Sequence, residues 1–307
     1  MHMTDALLSL PVGLAMCGIS AAAISYSIKK EDLIDKKKIP MMGAMGAFIF
    51  AAQMINFAIP GTGSSGHLVG GILLAAMLGA YPALLTMSAV LTIQCLFFAD
   101  GSLLALGANI FNMAVIPCLV IYPLIFEPLV KKGATPGRIT IAATFASLIA
   151  LQIGALGVVL QTLASGITEL PFLAFAAAMQ PIHLAAGLVE GIATAAILCL
   201  ARKVPAKPVI ATAVIALLIG GVFSQFVSSN PDGLEWSIEK VAGIEFEISG
   251  EPIATAFMPD YNFKNSEGSL GTSIAGITGG MLTFLLVAVI AFAISAFPWR
   301  QNSKLTS

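Results

Sequence analysis

Apolar runs of around 20 residues recur from one end of the chain to the other, and each is long enough to cross a bilayer as a helix. No other feature restricts the fold so severely. Composition agrees: 58% of the 307 residues are hydrophobic and 10% are charged, with a mean hydropathy of +0.94. A soluble domain carries about 25% charged residues. The chain is therefore read as an all-α, polytopic membrane helix bundle. Net charge is −1 and no basic tail is present, which argues against nucleic acid as a partner.

Taken in order, membrane helices are expected near 6–28, 40–59, 67–80, 83–98, 103–127, 138–163, 179–201, 208–227 and 271–296, about nine in all. The cations test that count. Lys29, Lys30 and Lys36 to Lys38 lie between the first and second spans, and Lys131, Lys132 and Arg138 between the fifth and sixth. Arg202, Lys203 and Lys207 separate the seventh from the eighth, and Arg300 and Lys304 follow the ninth. Of the fifteen cations, only Lys240 and Lys264 fall on the other side. The positive-inside rule then puts the N-terminus outside and the C-terminus in the cytoplasm of a cell (inner) membrane protein. Nothing basic precedes the first run and Asp5 sits where a positive n-region would be, so no cleavable leader is expected and Met1 is expected to remain the terminus.

The count is weakest over 67–98. The third span is about 21 Å long at 1.5 Å per residue, against a hydrocarbon core of about 30 Å. Tyr81-Pro82 is expected to mark a turn there, giving two short spans or one partial span beside a re-entrant segment. Leu170 to Ala178 is a second short apolar piece that could dip in without crossing. The pairs Gly66/Gly70, Gly187/Gly191 and Gly276/Gly280 have the small-xxx-small spacing that lets helices approach closely in lipid. Thirteen methionines, Met41, Met42 and Met45 among them, read as core filler. Cys17, Cys95, Cys118 and Cys199 are scattered singly, which indicates neither a zinc cluster nor a disulfide framework. An acidic segment at about 228–268, with Glu239, Glu245, Glu247, Glu251 and Asp260 and a turn at Asp232-Gly233, could attract cations but reads better as a solvated extracytoplasmic linker.

Few polar groups remain, and most fall at the end that carries the N-terminus. A free amine on Met1, the amide nitrogen of His2 and its Nδ1 can bind one metal ion together. Amine plus amide closes a five-membered ring and amide plus Nδ1 a six-membered one, leaving one corner of a plane open, a geometry suited to Ni(II) and Cu(II). His67, after a loop expected to be flexible over Gly61 to Gly66, can supply that corner from the same side. His183 opens the seventh expected span. Glu190, seven residues on, shares its helix face, and is either a counter-charge for a bound cation or a protonated residue bonding between helices. Asn109, one turn from Asn112, either orients a liganding histidine or makes a plain interhelical hydrogen bond.

Met1-His2, Ser65-Gly66-His67-Leu68, Gly107 to Met113 and His183-x6-Glu190-Gly191 resemble the cobalt/nickel permease family, the substrate-capturing components of energy-coupling-factor transporters. The likeness covers about 1–205. From 206 to 307, Pro231-Asp232-Gly233-Leu234-Glu235 is similar to the small two-span partner subunit of those systems, here fused to the core. The resemblance implies a metal held by Met1, His2 and His67; Asn109, His183 and Glu190 are the supporting residues expected from their positions. It also implies cobalt or nickel as the transported ion with no organic cofactor, a link to cobalamin biosynthesis, and separate membrane coupling and ATP-binding subunits as partners. Where the family usually reads Ile-x-Asp/Glu-Gly after Met-His, this chain reads Met3-Thr4-Asp5-Ala6. No G-x-x-x-x-G-K-[ST] stretch is present to bind ATP, and no H-E-x-x-H supports a membrane metalloenzyme. A structural membrane subunit with no metal of its own is the other alternative.

Overall fold

The computed structural model describes residues 1–30, 36–203, 208–225, 228, 230–243, 256–263 and 269–296. The expectations for Lys207, Lys264, Arg300, Lys304, Glu245, Glu247 and Glu251 lie outside these residues. A short 3-10 turn over Asp5–Leu7 leads into α1 (Leu10–Lys30), then α2 (Ile39–Gln53). A two-stranded antiparallel ribbon follows, β1 (Phe57–Ile59) with β2 (Ser64–Gly66), pairing Phe57 with Gly66 and Ile59 with Ser64. The rest is helical: α3 (Gly71–Leu78), α4 (Ala80–Phe98), α5 (Leu106–Lys131), α6 (Pro136–Ser165), α7 (Phe172–Ala201), α8 (Pro208–Gly221), α9 (Gly233–Ala242) and α10 (Ser269–Ala296).

In lipid, a spanning backbone has to satisfy its own hydrogen bonds, which is what the helices accomplish. Six of them, α1, α4, α5, α6, α7 and most of α10, are long and apolar enough to cross a membrane. The protein is therefore a polytopic membrane protein. The other three expected spans correspond to α2, α3 and α8, which are 15, 8 and 14 residues long.

The centre of the bundle is α2, buried continuously from Met42 to Gln53, together with α3 and α4. Helix α5 widens to π-type winding over Phe111–Phe126 and carries Pro117 and Pro123 within that stretch. Pairs of long helices pack through glycine. A side chain at Gly191 of α7 would put its Cβ 2.4 Å from Thr144 Cα of α6, and one at Gly276 of α10 would lie 2.1 Å from the Gly220 carbonyl of α8. These close approaches are the small-residue contacts expected where no hydrophobic force draws helices together.

Four local expectations are corrected. The chain is not purely helical, because α2 stops at Gln53 instead of running to 59. Pro60, Gly61 and Gly63 follow, and the two glycines take φ of +78° and +77° to reverse the chain. The loop expected to be flexible is therefore the ordered ribbon, with Ser64, Ser65 and Gly66 buried, and Gly66 and Gly70 are not a helix-packing pair. The break within 67–98 falls at Gly79 (φ +93°) rather than at Tyr81-Pro82. Pro82 sits in the first turn of α4, where a missing N–H costs nothing. Finally, residues from Phe172 onward belong to α7 itself, so His183 lies about three turns inside the helix instead of at its start.

Candidate metal site

The first four residues run extended into the bundle and are buried, Met1 5% exposed, His2 8% and Met3 0%. Hydrogen bonds tie them in place. The Met3 N–H donates to Asn109 Oδ1 at 2.8 Å, and Asn109 Nδ2 donates back to the Met3 carbonyl at 3.1 Å. One turn along α5, Asn112 and Gln161 of α6 exchange two hydrogen bonds of 2.8 and 3.1 Å. Below the 3-10 turn, Ser102 donates to the Asp5 carboxylate. Asn109 was expected to bond a histidine or another helix; it holds the main chain of the N-terminal segment instead. Ala6, in place of the family's glycine, sits in the 3-10 turn without preventing this fold-back.

The Met1 amine meets Asp232 Oδ2 at 3.0 Å. Asp232 is the N-cap of α9, and its Oδ1 accepts from the N–H groups of Leu234 and Glu235 at 2.7 and 2.9 Å. Glu235 accepts in turn from the Asp232 N–H at 2.9 Å, completing a capping box. Burial alone would raise the Asp232 carboxyl. The N-terminal ammonium, the backbone N–H bonding and His67 outweigh that and hold it below the usual carboxylate range. Glu235 goes the other way, pushed up to about 7 by burial and by the charge of Asp232.

The ribbon delivers His67 to the same place. Ser65 is tied to the α9 leader twice, its N–H donating to the Pro231 carbonyl at 2.8 Å and its Oγ to the Asn230 carbonyl at 2.8 Å. Just beyond His67, the N–H groups of Val69 and Gly70 donate to the two Glu190 oxygens at 2.8 and 3.1 Å. Gln53 Nε2 donates to the Val69 carbonyl at 2.7 Å and its Oε1 accepts from Gln94 at 2.7 Å. Glu190 is thus neither a bare counter-charge nor an interhelical side-chain bond: it fixes the backbone that presents His67.

The His2 and His67 rings stack at 5.5 Å between centroids and 22° between planes. His67 Nδ1 lies 3.2 Å from the Leu68 carbonyl, which only an N–H can satisfy, so Nε2 of the neutral ring carries the free lone pair. Burial, then the neighbouring N-terminal charge and His2, hold His67 down at about 3. Burial likewise lowers His2 against the opposing pull of Asp100. His2 Nδ1, the expected chelating atom, faces Asp100 Oδ1 at 3.3 Å, and its Nε2 is buried without a hydrogen-bond partner. His183 donates its Nδ1–H to the Met179 carbonyl, 2.8 Å away. Its ring borders a cavity of about 20 Å³ with Met1, His67 and Asp232, room for a single water-sized occupant. Among the described residues, no group of three or more His, Cys, Asp or Glu side chains could hold a metal ion. An ion bound here would need donors beyond these side chains.

The structure therefore brings Met1, His2 and His67 together, with Asn109 and Glu190 holding their backbones and His183 at the cavity wall. Asp232 and Asp100 were not singled out as site residues. The acidic segment is no solvated linker where it is described: Leu234 and Ile238 are buried against α7, and Trp236 Nε1 donates to the Thr62 carbonyl at 3.0 Å. Asp100 is held by the Tyr261 hydroxyl, which donates to its Oδ2.

Residues 2–208 match the family described as "Cobalt uptake substrate-specific transmembrane region". The chain belongs to that family. Residues 206–296 match the PDGLE domain. A putative fused nickel transport protein NikMN of Archaeoglobus fulgidus is 33% identical across 97% of this chain and 99% of its own length. A fused nickel transport protein NikMN of Rhodobacter capsulatus is 36% identical over 51% of this chain and 45% of its own. A crystal structure titled as a transition metal transporter superposes with a TM-score of 0.59 at 28% identity, covering 68% of this chain and 96% of that one. The cobalt uptake family is one of metal transporters rather than enzymes, and its metal ion is cargo.

Proposed function

We propose that the chain is the substrate-binding component of an energy-coupling-factor importer for divalent cobalt or nickel ions. The ion is held by the Met1 amine, the His2 amide and imidazole, and His67. The observation that carries this reading is the buried meeting of the N-terminal residue with two stacked imidazoles, in a membrane protein whose described His, Cys, Asp and Glu side chains form no group of three that could hold a metal ion. His67 contributes Nε2. For His2 to chelate through Nδ1, its ring must exchange Asp100 for the ion. Amine and amide give up protons on binding, so affinity rises with pH. The lost amide proton and the nearby carboxylates of Asp100 and Asp232 offset the charge of the buried cation, reducing its desolvation cost.

Residues 1–205 form the metal-capturing core and 206–307 a two-span unit. The site opens outward from the cell (inner) membrane, and the C-terminus faces the cytoplasm. Separate ATP-binding subunits act through a membrane coupling subunit. Planar nitrogen donors favour nickel over cobalt. The competing reading is a membrane subunit that binds no metal. Uptake of nickel and cobalt by cells expressing the partner subunits separates the two. His2→Ala and a chain lengthened by one retained residue before Met1 are both expected to lose uptake. Native uptake by the lengthened chain, with the extra residue verified by mass spectrometry, would refute the site.

A further inference from the structure

We infer that the segment Asn230 to Trp236 is a jig that sets the Met1 amine against His67, with Asp232 as its positioning residue. The inference rests on the metal-site reading above and assigns to the C-terminal unit a part in building the site.

Seven consecutive residues grip both strands that bring ligands. Asn230 and Pro231 accept from Ser65, two residues before His67, and Trp236 donates to Thr62 at the tip of the ribbon. Between them Asp232 accepts from the Met1 amine. The jig is itself referenced to the bundle. A Cβ on Gly233 would lie 2.7 Å from Ile182 Cγ2 and 3.1 Å from His183 Cε1, so the first turn of α9 is pressed onto α7. The Asp232 carboxylate cannot swing away, because its Oδ1 is committed to two N–H groups of that same turn.

A chain terminus frays unless something ties it down, and ordering it at the moment of binding would subtract from affinity. Asp232 removes that cost in advance. An amine that has given its lone pair to a metal still carries N–H bonds, so Oδ2 continues to accept from it. This is the relation by which carboxylates orient metal-bound imidazoles.

The test uses the purified full chain with Ni²⁺ alone at pH 8. Asp232→Asn keeps a side-chain oxygen for the cap of α9 and removes the charge facing the amine. Loss of an outer partner of this kind costs about 10–100-fold in metal affinity, and that is the expected fall for Asp232→Asn. Two further changes are expected: an altered visible absorption of the bound nickel, and faster acylation of the Met1 amine in the metal-free variant, read from the N-terminal peptide by mass spectrometry. Trp236→Phe, which leaves Asp232 intact, is expected to weaken Ni²⁺ binding without changing the acylation rate. Native or tighter binding by Asp232→Asn with a native acylation rate would overturn the inference. The lengthened chain distinguishes the levels. If it binds Ni²⁺ normally, the metal-site reading fails; if it does not bind while Asp232→Asn binds normally, only the jig fails.

Discussion

Apolar side chains near the two ends of the described chain, those of the first eight residues and those of the last helix, end in opposite surroundings. Met1, Met3, Leu7 and Leu8 are enclosed by the bundle, while Val289 and Phe292 of α10 are 64% and 59% exposed. Hydropathy cannot tell these apart, since lipid tails are as apolar as leucine. What differs is polar partners for the main chain. The N-terminal segment has Asn109 and Asp232 waiting for it, whereas α10 satisfies its own backbone and needs nothing from its neighbours.

Asn109→Ala should have the largest effect. It leaves the Met3 N–H and C=O buried without partners, at about 1–3 kcal/mol each. Nickel affinity should fall at least 10-fold and the N-terminal segment should become susceptible to protease; unchanged values for both would show that apolar packing alone holds the terminus. Glu190→Gln retains one acceptor oxygen for Val69 and Gly70, so about 1–2 kcal/mol should be lost, read by thermal unfolding in detergent, with weaker metal binding. Acidification sharpens the picture by a different route. The folded His67 is held at about 3 against an ordinary 6.5. Below 6.5 the unfolded chain therefore takes up a proton that the folded one refuses. The stability contributed by the neutral ring is intact above 6.5 and declines as pH falls toward 3. His67→Ala should flatten that decline in unfolding experiments, and an equally steep profile would mean other groups cause it. The smallest effect belongs to the lipid-facing helix: Val289→Ala should stay within about 0.5 kcal/mol of native stability, and a larger loss would reveal packing that the comparison denies.

The membrane class and the order of the helices were legible because runs of apolar residues are unmistakable. The proposed ligands Met1, His2 and His67 stand out in the sequence because so few donors occur in such a chain. Element boundaries failed where glycine and proline act at short range: Gly61 and Gly63 turn a ribbon where an apolar run predicts helix, and Gly79 makes the break three residues before the proline. Asp232 was misread for another reason. Asp-Gly at the start of a short segment signals a turn, and Asp232 is indeed an N-cap, but nothing local reveals that its second oxygen reaches Met1, 231 residues away. Glu190 shows the same limit, since its partners are backbone N–H groups that carry no sequence signature.

Helix α7 spans 30 residues, roughly 45 Å at 1.5 Å per residue. It touches the proposed metal site twice, through Glu190 under Val69 and Gly70 and through His183 against Gly233. Its far end runs out at Ala201, beside the exposed Arg202. A tilt of this rod along its glycine seam with α6 would shift the ledge beneath His67 and the backing of Asp232 in one stroke. Force applied near Arg202 would thus move both walls of the proposed site together.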